Sequence, residues 1–242
     1  MRLQVPFAFS LFLLYSLLFA TDTLLAQDTR QQLWLTYNAQ QQLNKHWGFQ
    51  FDVNHRLADV QQPASVVSAV RVGGTYFTGK SLRLTAGYAW FGTHTQLKAY
   101  RLLHENRLWQ QALWQYKLLK AKATQRIRIE ERWREQMSNG ALDHRFSIRF
   151  RYMWQWQYPV WHAATHPQRQ LMLHAADEWM LHAGDNLRKH FFDQNRLIGG
   201  LAYSPNKHVE MHLLYQYIAQ YNADKTAWQH LQTIRLTLLQ QF

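Results

Sequence analysis

Cysteine is absent from the 242 residues. Disulfide frameworks, cysteine-ligated zinc and thiol nucleophiles are therefore excluded. Acids are scarce: 15 Asp and Glu face 27 Lys and Arg, a formal net charge of +12. Past residue 26 no apolar run approaches the ~18 residues of a membrane-spanning helix, which excludes a helical membrane protein. Serine is thin as well. Only Ser65, Ser68, Ser81, Ser138, Ser147 and Ser204 follow residue 26, leaving little material for serine catalysis.

What is present is apolar and aromatic. Hydrophobic residues make up 47% of the chain, too many for disorder, and aromatics 15%. A basic chain rich in aromatics suggests nucleic acid as a partner on composition alone. The N-terminus points elsewhere. Arg2 is followed by an apolar core from Phe7 to Ala20, then by a short stretch ending at Ala26. This pattern predicts an export signal over residues 1–26 and a mature domain over 27–242.

Within that domain the dominant period is two, which predicts strands. Leu82, Leu84, Ala86, Tyr88 and Trp90 alternate with Arg83, Thr85, Gly87 and Ala89. Phe146, Ile148, Phe150, Tyr152, Trp154 and Trp156 alternate with Arg145, Ser147, Arg149, Arg151 and Gln155. Eleven such runs can be counted, near 31–42, 46–57, 65–78, 81–92, 102–117, 123–136, 144–157, 169–182, 194–204, 208–219 and 229–242. Short turn signals (Asn44-Lys45, Gly79-Lys80, Lys120-Ala121-Lys122, Pro205-Asn206-Lys207) alternate with longer polar connections. No composition break divides the runs, so one domain is expected.

A soluble barrel hides its apolar face. Here the apolar faces carry rows of Trp, Tyr, Phe and Ile that suit lipid, and the opposite faces are charged. The fold expected is all-β: a transmembrane antiparallel up-and-down β-barrel of 10–12 strands in a bacterial outer membrane. Bacterial barrels have even strand numbers, which favours twelve. Eleven strands would start the chain on the outer side unless residues 27–32 thread the lumen. Leu236, Leu238 and the terminal Phe242 share a face, like the terminal strand signal read by the barrel-assembly machinery. Outer-membrane lipid and that machinery are the expected partners.

The segments Arg128-Ile-Glu-Glu-Arg132-Trp133, Phe191-Phe-Asp-Gln-Asn-Arg196-Leu197, Gly87-Tyr88 and the C-terminal strand resemble an uncharacterised family, a domain of unknown function in outer-membrane proteins of Bacteroidetes-type bacteria. The resemblance spans the mature chain. It implies an outer-membrane location and supplies no catalytic residue.

Polar faces then line a lumen. Thirteen arginines fall on them against five acids, Asp52, Glu105, Glu130, Glu178 and Glu210. The lumen-lining candidates are Arg126, Arg128, Glu130, Arg132, Arg134, Arg149, Arg151, Glu178 and Arg196. Arg–Glu pairing could brace the wall. Alternatively the guanidinium forks could attract small anionic solutes through a narrow passage. The expected function is therefore non-enzymatic, structural or a passage, with no cofactor.

Other chemistry finds little support. A lipid-acting enzyme of phospholipase type, the alternative, needs a serine beside a histidine, and period two puts His144 and Ser147 on opposite faces. No histidine cluster has metal-ligand spacing, although His174 and Glu178 could share the lumen. Asp185, Asn186 and Asp193 could weakly hold a cation in a loop. The glycine pairs 73–74 and 199–200 read as close packing or bending of strands. Nucleic acid is disfavoured because the aromatics lie opposite the arginines.

Overall fold

In a computed structural model, residues 29–58, 65–79, 81–95, 101–138, 140–184, 191–221 and 227–242 are described. The expected export signal, residues 1–26, lies outside them. The strands are β1 (Thr29–Gln42), β2 (Trp47–Ala58), β3 (Ser65–Phe77), β4 (Leu82–Thr95), β5 (Arg101–Leu118) and β6 (Ala121–Ser138). They continue with β7 (Ala141–His162), β8 (Gln170–Gly184), β9 (Phe192–Ser204), β10 (Val209–Tyr221) and β11 (Trp228–Gln241). Each matches one of the alternating runs.

Consecutive strands pair antiparallel, as their alternation and short turns require. Asn44 shapes the first turn, where its Oδ1 accepts from the His46 and Trp47 amides at 2.9 Å each. Asn206 does the same for the amides of His208 and Val209 at 2.8 and 3.0 Å. Gly140, between β6 and β7, takes the left-handed φ of +80° that a tight reversal demands.

The ring closes where β1 pairs with β11 in parallel, from Thr29↔His230 to Gln40↔Gln241. The barrel therefore has eleven strands, the number of runs in the sequence, and not the twelve favoured by even-number reasoning. Parallel closure is what allows an odd count. It also corrects the idea that the first residues thread the lumen: Thr29 to Gln32 are already paired with β11. The C-terminus and the connections after β1, β3, β5, β7 and β9 share one end. The start of β1 lies at the other. A closed ring leaves no strand edge unpaired.

Side chains alternate as the sequence predicts. Outward positions carry Val70, Val72, Leu84, Leu108, Ile127, Phe150, Leu173, Leu201, Leu213 and Leu236, all well exposed. Trp47, Tyr76, Trp114, Tyr158 and Trp161 ring the wall near the C-terminal end. Inward positions hold Asp52, Asn54, Arg107, Arg128, Glu130, Arg132, Arg151, Glu178 and Arg196, all buried. This is the inverse of a soluble protein.

Two small apolar clusters also lie inside. Ala69, Ala89, Phe91 and Trp109 form one. Trp34, Ile218 and Leu231 form the other. The Trp109 ring packs over a floor of two glycines, since Gly73, Gly87 and Trp109 are register partners across β3, β4 and β5. A Cβ on Gly87 would sit 2.0 Å from the Val72 carbonyl oxygen and 2.8 Å from the Trp109 ring. Close packing thus accounts for Gly73. Gly200, at a φ of +156°, packs equally close, since a Cβ there would meet the Leu213 carbonyl oxygen at 2.2 Å.

Candidate functional site: an arginine-lined lumen

Successive inward positions on β5 to β9 bring opposite charges to the same height. A continuous chain of ion pairs results. Arg132 Nε donates to Glu105 Oε1 at 2.5 Å. Arg107 grips Glu105 through Nε and Nη2, both at 3.0 Å, and reaches Glu130 through Nη1 at 3.0 Å. Arg151 donates to Glu130 at 2.7 Å through Nη1 and to Glu178 at 2.7 Å through Nη2. Arg126 joins Glu178 from β6, and Arg196 Nη1 lies 3.5 Å from the other Glu178 oxygen. Arg128 binds Gln111 through Nε at 3.1 Å and Nη2 at 2.7 Å, and Glu130 is 3.6 Å away. Arg107 and Arg151, each forked between two carboxylates, tie β5, β6, β7 and β8 together. Planar guanidinium suits this bridging in a way an ammonium does not.

Seven of the nine candidates from sequence (Arg126, Arg128, Glu130, Arg132, Arg151, Glu178 and Arg196) thus join one network, with Glu130 and Glu178 as hubs. Arg149 belongs to a separate pair, with Asp193 at 2.7 Å. Arg134 has no carboxylate at ion-pair distance among the described residues. Asp193 corrects an expectation: it belongs to β9, not to a cation-binding loop. A bulge opposite Met180 and Leu181 admits it as an extra residue. Asp185 and Asn186 lie outside the described residues.

Inward aromatics were not anticipated, and four of them among the described residues, Trp34, Phe77, Phe91 and Trp109, share a face with the arginines; Arg83 lies 5.7 Å from the Phe77 ring. Arg107 stacks 3.6 Å from the centre of the Phe91 ring. Arg56 lies 4.1 Å from the Trp34 ring and 5.9 Å from Phe91, bridging the two apolar clusters. Arg196 covers Trp34 at 5.1 Å, and Arg128 lies 4.8 Å from Trp109. Together they form a layer of stacked cations and rings across the lumen. In the sequence, Trp34 alternates with Leu33 and Leu35 and shares a parity with Thr36, Asn38 and Gln40. That parity was the available signal.

Carboxylates do not balance this charge. Among the described residues Arg56, Arg83, Arg134 and Arg235 have none at ion-pair distance. Arg56 donates through Nε to Asn54 at 2.5 Å, and Arg83 through Nη2 to Gln115 at 2.9 Å. The charges that act most strongly on Arg56 are those of Arg196, Arg107, Arg71 and Arg235, all of like sign. Buried guanidinium nitrogens without a hydrogen bond include Nε of Arg126, Arg134, Arg196 and Arg235.

A cavity of about 250 Å³ occupies the lumen. It extends from Gln40, Gln115 and Gln241, near the C-terminal end, to the layer of Trp34, Arg56 and Phe91. Arg71, Arg126, Arg128 and Arg235 line it between those levels. Its mouth also holds Glu210, which accepts from Gln157 at 2.6 Å and pairs with His212 at 2.5 Å.

His174 faces the lumen with Glu178, as period two requires, but its ring neighbour is His212 at 5.2 Å. No group of three metal-ligating side chains occurs among the described residues. Ser147 is buried on the inner face and His144 lies on the outer one. Cross-strand pairing, which sequence spacing cannot reveal, places His55 Nδ1 3.0 Å from Ser68 Oγ on the outer wall. No third group orients His55 among the described residues.

The fold and lumen define a class: a closed barrel with an apolar outer wall and a charged, arginine-rich interior. The chain belongs to the DUF2490 family, described as a protein of unknown function, whose profile matches residues 31–230. No curated protein matches the chain. Among solved structures, the crystal structure of the beta domain of the Bordetella autotransporter Brka is similar, with 13% identity and a TM-score of 0.46. The likeness covers 71% of this chain and 76% of that one.

Proposed function

We propose that the protein is a non-enzymatic β-barrel of a bacterial outer membrane whose lumen is a narrow, anion-selective path for small solutes. The outer wall supports the membrane assignment. Its exposed leucines, valines and isoleucines would be costly in water and are stable in lipid, with tryptophan and tyrosine near the C-terminal end at the height of lipid headgroups. Phe242, whose amide donates to the Gln40 carbonyl at 2.9 Å, ends the strand that the assembly machinery would read.

The surplus of lumenal arginine over carboxylate carries the functional reading. Eleven strands stand between small barrels filled by side chains and wide aqueous porins. The cation–ring layer narrows the path further, so the solute must be small. A field of one sign attracts anions and rejects cations.

Reconstitution in planar bilayers under a salt gradient tests this. The expected result is a small conductance with an anion-selective reversal potential. Replacing Arg83 and Arg134 by Glu, two arginines free of carboxylate partners toward opposite ends of the lumen, shifts that potential toward cations. No channel events from a sample shown to be folded would overturn the passage.

A further inference from the structure

We propose that the lumenal cavity is a fixed binding site for a phosphoryl oxyanion, held by Arg71, Arg126 and Arg235 with Arg128 beside them. The proposal rests on the anion-selective reading and goes beyond it. A path needs only a field, whereas a site needs converging donors.

The donors converge because of topology. Arg71 is on β3, Arg126 and Arg128 on β6, and Arg235 on β11, three sectors of an eleven-strand ring. Long side chains from separated sectors can meet only near the barrel axis. They do come together there: Arg71, Arg126, Arg128 and Arg235 line one cavity, with Asp52 and Glu178 as the carboxylates beside them.

The carboxylates at this level are committed. Asp52 accepts from Arg71 Nε at 2.8 Å, which leaves both terminal nitrogens of Arg71 for another partner. Glu178 already serves Arg126, Arg151 and Arg196. Among the described residues Arg235 has no carboxylate at ion-pair distance, and its Nε and that of Arg126 are buried without a hydrogen bond. Cations that outnumber their carboxylates in a confined space are costly. An anion with several oxygens removes that cost by accepting from several forks at once. Chloride offers charge without those separate acceptors. A phosphate group offers both, and the cavity of about 250 Å³ admits it with water.

The test uses the folded full-length barrel in detergent micelles, titrated at constant ionic strength with inorganic phosphate, with glycerol phosphate or with chloride. Binding is read by calorimetry and by the melting temperature. The expected result is saturable binding of one phosphate per chain that raises the melting temperature, where chloride does not. Equal binding of glycerol phosphate would assign the site to phosphomonoesters, and loss of binding would restrict it to the free ion. Arg235→Gln is expected to weaken phosphate binding at least tenfold and to melt higher than wild type in phosphate-free buffer, since it removes repulsion. Arg235→Lys, which keeps the charge and loses the fork, serves if that variant does not fold, with the same loss expected. Arg145→Gln, outside the cavity, is expected to bind normally. No saturable effect of phosphate over chloride, or full binding by both Arg235 variants, would overturn the site. A barrel that binds phosphate without conducting refutes the passage alone. One that conducts anions without binding phosphate refutes the site alone.

Discussion

At the scale of the residue, this barrel inverts the usual assignments. Leucines such as Leu213 and Leu236 are exposed, and Glu130 and Glu178 are buried. Glu130 is 2% exposed yet reached by Arg107, Arg128 and Arg151. The ion-pair chain holds the wall at heights where a soluble protein would use packed hydrocarbon, and its value depends on completeness, because a buried charge without a partner is costly. Packing matters in one place above all, the floor under Trp109. Gly87→Ala puts a methyl group 2.0 Å from a strand carbonyl and 2.8 Å from an indole boxed in by Phe91 and Arg128. Backbone cannot yield as a flexible side chain would. The expected loss is about 2–3 kcal/mol of unfolding free energy, read from urea unfolding in micelles. Gly74→Ala is the control. Its Cβ would meet nothing within 4 Å, and little change is expected.

At the scale of the element, the strands were legible because alternation is strong and turns are marked. Trp133 and Phe146 fell on outward faces, Arg132 and Ser147 on inward ones, and both assignments hold. What was not legible needed neighbours. No spacing rule pairs Arg151 with Glu178, or His55 with Ser68, because those contacts come from register between strands. Asp193 escaped because a bulge breaks parity. Trp34 and Trp109 escaped because a tryptophan in a barrel strand is most readily placed in lipid. The closure was also hidden, since even-number reasoning presumes an antiparallel seam. That seam can be tested cleanly in a chain that lacks cysteine. Leu35 and Leu236 are register partners with outward side chains. The double variant Leu35→Cys, Leu236→Cys is expected to form a disulfide in the folded barrel, seen as a gel-mobility change reversed by reductant. The pair Leu35→Cys, Leu238→Cys, one outward step out of register, is expected to cross-link poorly. Equal cross-linking of both would contradict the parallel register.

At the scale of the whole molecule, the decisive question is which solvent the outer wall meets. Leu201, Leu213 and Leu236 stand abreast on β9, β10 and β11 as register partners with exposed side chains. Val209 begins the same strand, β10, near the C-terminal end. In lipid, the cost of a charge depends on depth. Arginine at the bilayer midplane costs about 2–4 kcal/mol, and near an interface about 0–1 kcal/mol. In water the wall has no depth, and a surface substitution stays within roughly 0.5 kcal/mol wherever it is made. Leu213→Arg is therefore expected to destabilise the barrel in liposomes by about 2–4 kcal/mol, and Val209→Arg by less than about 1 kcal/mol. The measurement is reversible denaturant unfolding of the two variants beside wild type, followed by tryptophan fluorescence. The comparison is internal, since both substitutions add the same side chain to the same face of the same strand. Equal and small effects would place the outer wall in water, and the lumenal arginines would then need an explanation other than a membrane path. A large effect at Leu213 alone would fix the apolar belt in lipid, which leaves the arginine-lined interior as the polar route from one end of the barrel toward the other.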